Sequence, residues 1–220
     1  MDVIFGNLDL WGQAVGNTLL VFFAGGVIAL ILGTIVGAMR VSPVPIARGV
    51  GTVYVNLIRN TPLTLVFFIF VFGYPQLGLG KLPNQNLVLG IVAIGIYTAT
   101  YVAEVLRAGI STVPVGQAEA ARAIGLPFGQ VMTLVVLPQA FRSVVPPMMS
   151  VFIALLKNTT IAAGFSVAEL AALRATIYDS HDRPGTSMEV LLWVALVFIA
   201  LVMLLSWAQQ HLEKKWRIAR

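Results

Sequence analysis

The sequence contains no cysteine and few charged residues. Of its 220 residues, 10% are charged and 58% are hydrophobic, whereas a soluble domain carries about 25% charged residues. The lack of cysteine excludes disulfides and cysteine-ligated metals, and the only two histidines, His181 and His211, are too far apart in sequence to indicate a metal site. The shortage of charge indicates a membrane protein.

The charges that are present are mostly positive, with 14 Lys and Arg against 9 Asp and Glu. They are scattered over short segments, and no basic patch alternates with aromatic residues, so the excess does not indicate nucleic-acid binding. The sequence also lacks a Gly-x-x-x-x-Gly-Lys-[Ser/Thr] phosphate loop and any Ser/His/Asp or metal-binding constellation. We therefore expect a non-enzymatic membrane protein that needs no cofactor.

Long apolar runs predict an all-α integral membrane protein in which residues 1–220 form one transmembrane domain. A helix rises roughly 1.5 Å per residue, so about 20 apolar residues cross a hydrocarbon layer of about 30 Å. Five runs are long enough, at about 15–38, 51–73, 87–108, 144–165 and 189–209. In the first run, Gly33 and Gly37 form a Gly-x-x-x-Gly pair, which indicates either helix association or ordinary close packing within the chain.

The distribution of cations predicts the orientation, because Lys and Arg are enriched in cytoplasmic loops. One set of segments follows spans 1 and 3 and includes the C-terminal tail. Its cations are Arg40, Arg48, Arg107, Arg122, Lys214, Lys215, Arg217 and Arg220. The opposite set holds only Lys81, Arg174 and Arg183. We expect the N-terminus outside and the C-terminus in the cytoplasm.

A polar, Ala-rich segment at 112–138 interrupts the apolar pattern on the predicted cytoplasmic side. Good helix formers extend from Gln117 to Ile124, and Gly125 and Pro127 then end the helix. A short helix between two breaks would present a small rigid surface to a soluble partner. The alternative is an ordinary loop helix lying on the membrane surface.

The stretch EAARAIGLPFGQVMTLVVLP at 119–138 resembles the cytoplasmic loop signature of permease subunits from binding-protein-dependent ABC importers. The matching positions are Glu119, Ala120, Ala121, Gly125, Leu137 and Pro138, and Val135 stands where isoleucine is usual. The stretches RNTPLTL at 59–65 and LLKNTTIA at 155–162 resemble motifs of the polar amino-acid branch. The likeness is closest to permeases for glutamate, glutamine and aspartate.

This resemblance implies a type I ABC importer permease fold in the lipid of a bacterial cytoplasmic membrane. The matching loop residues, with Arg122, would form a coupling helix that docks on a separate ATPase. The implied partners are two ATPase subunits, an extracytoplasmic substrate-binding protein and a second permease copy or a paralogous permease. The alternative is an autonomous amino-acid carrier driven by protons or sodium, with Glu104 as its ion site.

Arg59 lies well inside the second predicted span and is followed by Asn60, Thr61 and Pro62. A charge in hydrocarbon costs a few kcal/mol, so such a residue is a functional candidate. Pro62 removes one backbone hydrogen bond, which predicts a broken helix that lines a cavity. Arg59 would either bind a substrate carboxylate or pair with Glu104.

Two further intramembrane sites are candidate substrate ligands. Lys157 and Asn158 lie within the fourth predicted span, where the cation would attract a substrate carboxylate or bond to helix carbonyls. Glu104 would hold a substrate ammonium, or it would form a structural pair with Arg107 three residues later. Together these groups complement a zwitterionic amino acid.

Overall fold

The structure, a computed structural model, describes residues 6–178 and 186–216. Within those two ranges all regular elements are helical. In chain order they are α1 (Leu8–Val41), α2 (Pro45–Arg59), α3 (Leu63–Gln76), α4 (Gln85–Ser111), α5 (Val115–Ala123), α6 (Phe128–Gln130), a π-helix (Val131–Val136), α7 (Leu137–Asn158), two 3₁₀ turns (Thr159–Phe165 and Leu170–Ala172), α8 (Leu173–Tyr178) and α9 (Thr186–Trp216). His181, Arg183, Arg217 and Arg220, used in the sequence analysis, lie outside the described residues.

Four stretches of the described chain are long and apolar enough to cross a membrane. They are Leu8–Val41, Gln85–Ser111, Phe128–Phe165 and Met188–Lys214. Together α2 and α3 provide a fifth candidate, although they are bent by 94° relative to each other. The predicted fold class, an all-α membrane protein with about five spans, is confirmed.

The bend between α2 and α3 lies at residues 60–62. Pro62 has no N–H to donate and precedes α3, and proline disfavours helical backbone at the residue before it. The Thr61 N–H instead bonds to the Ile58 carbonyl at 3.2 Å. The helix break expected from Pro62 is therefore present, and the broken pair extends from Pro45 to Gln76, beyond the predicted 51–73.

The helical stretch through α7 begins earlier than the predicted span at 144–165. Pro146 and Pro147 lie inside α7 and not at its start. Proline is tolerated inside membrane helices because neighbouring groups satisfy the freed carbonyls. Pro138 instead occupies the first turn of α7, where a proline is readily accommodated because the first helical N–H groups lack partners within the helix.

Glycines set the close contact between α1 and α4. A Cβ placed on Gly33 would lie 2.5 Å from Val102 Cβ, and one on Gly95 would lie 2.7 Å from Ile28 Cγ2. Gly37 also faces α4, with Leu106 Cβ at 3.2 Å. Of the two interpretations of the Gly33 and Gly37 pair, close packing within the chain is the one that the structure shows.

Apolar residues recur at helical spacing between residues 166 and 180, and the described part of that range forms a 3₁₀ turn followed by α8. Its four periodic apolar residues, Val167, Leu170, Leu173 and Ile177, are all buried. Leu170, Leu173 and Ile177 form one cluster with Trp11 of α1 and Val190 of α9. The apolar pattern therefore attaches this segment to the bundle.

Polar contacts attach the same segment to α1. Asn17 Nδ2 donates to the Ala168 carbonyl at 2.8 Å, and the Leu170 N–H donates to Thr18 Oγ1 at 3.0 Å. Glu169 is fully buried, and its Oε1 accepts the Ala171 N–H at 2.7 Å. Burial raises the pKa of Glu169 to about 7, although hydrogen bonds from the backbone of residues 171 and 172 oppose the shift.

Candidate functional site

Arg59 lies at the end of α2, beside an aromatic ring of α4. Its Cζ is 5.3 Å from the centre of the Tyr101 ring, within the roughly 6 Å range of cation–π attraction. The side chain is exposed and makes no hydrogen bond to another described residue. Its guanidinium therefore offers free N–H donors to a carboxylate, in the bidentate geometry that arginine favours.

A cavity of about 420 Å³ lies beside Tyr101, between α4 and α7. The Tyr101 hydroxyl is hydrogen-bonded to the Tyr97 hydroxyl at 3.0 Å. The polar groups that line the cavity belong to Tyr97, Thr98, Tyr101, Ser150 and Asn158. Of the residues proposed from the sequence, Asn158 lines this cavity, while Arg59 lies at the ring of one of its lining residues.

Glu104 does not pair with Arg59. Its carboxylate instead accepts hydrogen bonds from Arg40 at the end of α1 and from Arg107 one turn further along α4. The Arg107 Nε to Glu104 Oε1 distance is 3.1 Å. The predicted pair between Glu104 and Arg107 is therefore present, and both carboxylate oxygens are occupied by cations.

The remaining candidates of the two intramembrane motifs lie at helix ends. Asn60 follows α2 and is exposed, and Thr61 Oγ1 donates to the Leu57 carbonyl at 2.8 Å. Lys157 is also exposed, and its carbonyl accepts a hydrogen bond from Thr160 Oγ1 at 2.8 Å. The structure thus brings Arg59 to the Tyr101 ring and Asn158 into the cavity that this tyrosine lines, and it leaves Lys157 exposed.

The predicted coupling helix corresponds to α5. Ala121 is buried in one cluster with Val113, in the turn before α5, and with Val131 and Ala140, in the helical elements after it. Glu119 and Arg122 are exposed. The segment therefore has one face anchored to the bundle and a polar face that is open to a partner.

A Schellman motif ends α5. The Leu126 N–H bonds to the Ala121 carbonyl at 3.2 Å, and the Gly125 N–H bonds to the Arg122 carbonyl at 2.9 Å. Gly125 has a φ of 88°, which favours glycine strongly over residues with a Cβ. A Cβ placed there would meet no atom within 4 Å, so backbone conformation, and not crowding, requires the glycine.

The last two residues of the loop signature, Leu137 and Pro138, lie where a π-helix changes to an α-helix. A π-helix at Val131–Val136 leads into α7, and the Leu137 N–H bonds to the Met132 carbonyl five residues earlier. Pro138 cannot donate a hydrogen bond, and its ring crowds the carbonyl four residues before it. The wider π-turn accommodates this crowding, and Leu137 and Pro138 form the first turn of α7 directly after it.

Three site residues were missed at the level of sequence. Tyr97 and Tyr101 are four residues apart, a spacing that places them on one face of a helix, and this pattern was the available signal. Arg40 was counted as a loop charge, yet it lies within α1 and bonds Glu104. No local pattern reveals that contact, because it joins residues 64 positions apart.

Comparison with known proteins gives a family and a set of relatives. A family model described as "Binding-protein-dependent transport system inner membrane component" matches residues 10–218. The glutamate transport system permease protein GluC of Corynebacterium efficiens is 46% identical over 162 residues, which is 70% of this chain and 71% of that protein. The probable glutamine ABC transporter permease protein GlnM of Bacillus subtilis is 34% identical over 98% of this chain and 97% of its own length.

Two solved structures share the fold. One, described as an amino acid ABC transporter with histidines, has a TM-score of 0.87 and 26% identity, with 96% of each chain covered. An inward-facing methionine ABC transporter, MetNI, has a TM-score of 0.76 and 22% identity, with 95% of this chain and 97% of that chain covered. The helical arrangement described above is thus that of type I importer permeases.

Proposed function

This chain belongs to the binding-protein-dependent transport system inner membrane components, and we propose that it forms the translocation path for glutamate, glutamine or aspartate in an ATP-driven importer. The relatives named for glutamate and glutamine support this substrate class, as does the glutamate/aspartate import permease protein GltK of Escherichia coli, which is 32% identical over 90% of this chain and 89% of its own length. The structural observation that carries the proposal is the cavity between α4 and α7, which is lined by several polar side chains. The Arg59 guanidinium lies over the ring of Tyr101, one of these lining residues.

The charges around the cavity fit an amino-acid carboxylate. Arg59 supplies a cation that is free to bind it. The rings and hydroxyls of Tyr97 and Tyr101 offer a π-face to an ammonium group and hydrogen bonds to polar atoms. Glu104 forms a structural pair and is held by two arginines, so we assign the ammonium group of the substrate to the tyrosines instead.

The pairing of Glu104 with two arginines also weighs against an autonomous carrier. The autonomous carrier considered from the sequence would use Glu104 as its ion site. Both oxygens of Glu104 are held by arginines, and no other acidic residue lies in the described part of α4. ATP-driven import, with hydrolysis in a separate subunit, is the function that the site favours.

The proposed assembly places this chain with a second permease, two ATPase subunits and an extracytoplasmic binding protein. The exposed face of α5, with Glu119, Ala120 and Arg122, is the proposed docking surface for an ATPase. Leu137 and Pro138 support its angle. Docking would require α5 to lie in the cytoplasm. This agrees with the orientation predicted from the cations, which has the N-terminus outside and the C-terminus inside.

The decisive experiment is uptake by the reconstituted importer. Proteoliposomes that contain this chain, its ATPase subunits and its binding protein should accumulate labelled glutamate, glutamine or aspartate only when ATP is supplied on the ATPase side. The chain alone should accumulate none of them under a proton or sodium gradient. Gradient-driven uptake by the chain alone would show that the ABC assignment is wrong.

The orientation in the membrane is tested separately with single introduced cysteines, because the natural sequence contains none. Leu79, between α3 and α4, and Lys214, near the end of α9, are both exposed. A cysteine at position 79 should react with an impermeant thiol reagent added outside intact cells, whereas a cysteine at position 214 should react only after the membrane is opened. The opposite labelling pattern would reverse the proposed topology.

A further inference from the structure

A second cavity, of about 650 Å³, lies beside the coupling segment and apart from the polar cavity between α4 and α7. Its walls come from the end of α1, the end of α4 and the helices after α5. Most of the lining is apolar, including Val41, Ile110, Phe128, Met132 and Leu137. Phe128 is 70% exposed and Leu137 is 44% exposed, so the apolar surface of this cavity is open and unfilled by the chain itself.

One cation lines this apolar cavity. Arg48, in α2, donates from Nη1 to the Ser42 carbonyl at 3.1 Å. The turn that carries this carbonyl is itself fixed, because the Val44 N–H donates to Ser42 Oγ at 3.1 Å. A guanidinium has five N–H donors, and one hydrogen bond leaves four of them for a ligand.

The lining contains no acidic residue to neutralise Arg48. Arg40 lies nearby in sequence, but it does not line the cavity and its side chain donates to Glu104. The cavity therefore combines an open apolar wall with a single uncompensated and oriented cation. An occupant that matches both features has an apolar chain and an anionic head.

We propose that this cavity is a binding site for one anionic phospholipid, with its phosphate on Arg48 and an acyl chain along Val41, Phe128 and Leu137. Arginine pairs with phosphate through two parallel N–H bonds, and basic pockets between membrane helices bind lipid head groups. The cavity lies at the end of α1, a membrane-crossing helix, where head groups meet hydrocarbon. A phospholipid is the amphiphile that surrounds the chain at this depth.

The site has a direct connection to coupling. Phe128, Met132 and Leu137 come from α6, the π-helix and the first turn of α7, which together join the coupling helix to the bundle. A lipid bound there would pack against the helical elements that connect the coupling helix to α7. Occupancy of the cavity should thus affect the coupling of ATP hydrolysis to transport without affecting substrate recognition.

The test uses the full importer in nanodiscs that contain phosphatidylglycerol, phosphatidylcholine or a mixture. Native mass spectrometry counts the phospholipids that the complex retains after release from the disc. Arg48→Gln should weaken phosphatidylglycerol retention roughly tenfold, because a pair of charge-assisted hydrogen bonds is lost. Lys214→Gln, which removes an exposed cation near the end of α9, serves as the matched control and should change retention less than twofold.

A second variant tests the apolar part of the cavity. Ala38 lines the cavity and is exposed, so Ala38→Phe should fill it and displace the lipid while Arg48 stays in place. Equal retention of phosphatidylglycerol by the unmodified protein and both variants would overturn the proposal, and so would equal retention of phosphatidylcholine and phosphatidylglycerol. If Arg48→Gln separates two permease copies while lipid retention is unchanged, the cavity is an interface between copies and the proposal is wrong.

Discussion

The guanidinium of Arg59 stands over the ring of Tyr101, with 5.3 Å between Arg59 Cζ and the ring centre. This contact joins the broken helix pair to the central helix α4. It also holds the guanidinium beside the proposed substrate cavity without using its hydrogen-bond donors. A cation oriented in this way is ready for a carboxylate before substrate arrives.

Removing this cation should impair transport more than it impairs assembly. Arg59→Ala deletes the proposed partner of the substrate carboxylate, an interaction of about 1.5–3 kcal/mol for a charge-assisted hydrogen bond. We expect uptake to fall by roughly tenfold to a hundredfold. Uptake and ATPase co-purification should be measured together, with Lys81→Ala as a control that removes an exposed cation away from the cavity. Unchanged uptake in Arg59→Ala would make this arginine a structural residue.

Lys157 is expected to contribute less than Arg59. Its side chain is exposed and does not line the cavity, so its charge acts on a substrate only through solvent or across an interface with another subunit. Lys157→Ala should lower uptake by a smaller factor than Arg59→Ala. The comparison requires initial uptake rates at several substrate concentrations. An effect equal to that of Arg59→Ala would place Lys157 at the substrate.

The coupling helix should depend on the backbone at Gly125. Valine at a φ of 88° is strained by about 1–3 kcal/mol, so Gly125→Val should alter the end of α5 and uncouple ATP hydrolysis from uptake. Asparagine tolerates left-handed backbone, and Gly125→Asn should retain most of the uptake. Similar uptake by the valine and asparagine variants would show that the conformation of Gly125 has no part in coupling.

Charge on the exposed face of α5 gives an independent test of docking. Glu119 is exposed and makes no hydrogen bond to another described residue, so Glu119→Lys should leave the fold of this chain intact. At a desolvated interface, a misplaced charge costs several kcal/mol. We expect normal membrane insertion and weakened co-purification of the ATPase. Normal binding and uptake would mean that α5 is an ordinary loop helix.

Glu169 should make the stability of the protein depend on pH. Its pKa is about 7 in the folded protein and 4.5 in the reference state, so the folded state holds the proton more tightly. Stability is then greatest below pH 4.5 and falls as pH rises to about 7, with a total loss of about 3 kcal/mol from this group. Thermal unfolding in nanodiscs at pH 5.5 and pH 8 measures this difference.

Glu169→Gln should flatten this pH dependence, because the amide resembles the protonated carboxyl and stays neutral. It should also raise the unfolding temperature at pH 8. Asp9→Asn, which removes an exposed carboxylate from α1, is the matched control and should leave the pH dependence as it is. A pH dependence unaltered by Glu169→Gln would show that another group causes it.

The features predictable from the sequence were those that depend on local chemistry. The apolar runs predicted the membrane helices, Pro62 predicted the break after α2, and Gly125 predicted the end of α5. The effects of Pro62 and Gly125 come from the backbone conformations that one residue allows, and the membrane helices come from uninterrupted apolar stretches. Neither depends on contacts with other helices.

The features that could not be predicted depend on which helices are neighbours. The sequence offered Arg59 and Arg107 as partners of Glu104, and only the packing of α1 against α4 adds Arg40. The cavity at Tyr97 and Tyr101 likewise requires α7 to lie beside α4. The starts of the helices were displaced for a related reason, since an uncharged run such as residues 10–39 contains no local signal for where a helix begins.

The glycine contacts between α1 and α4 limit how the transporter can move. With Gly33 so close to Val102 that not even a methyl group would fit, any sliding of one helix along the other would force a side chain into the opposite backbone. Sliding of α1 along α4 is therefore blocked in this conformation, and we expect the two helices to move together. The helix break at residues 60–62 is a place where the chain can bend instead, and we expect a change in its 94° angle to shift Arg59 relative to Tyr101.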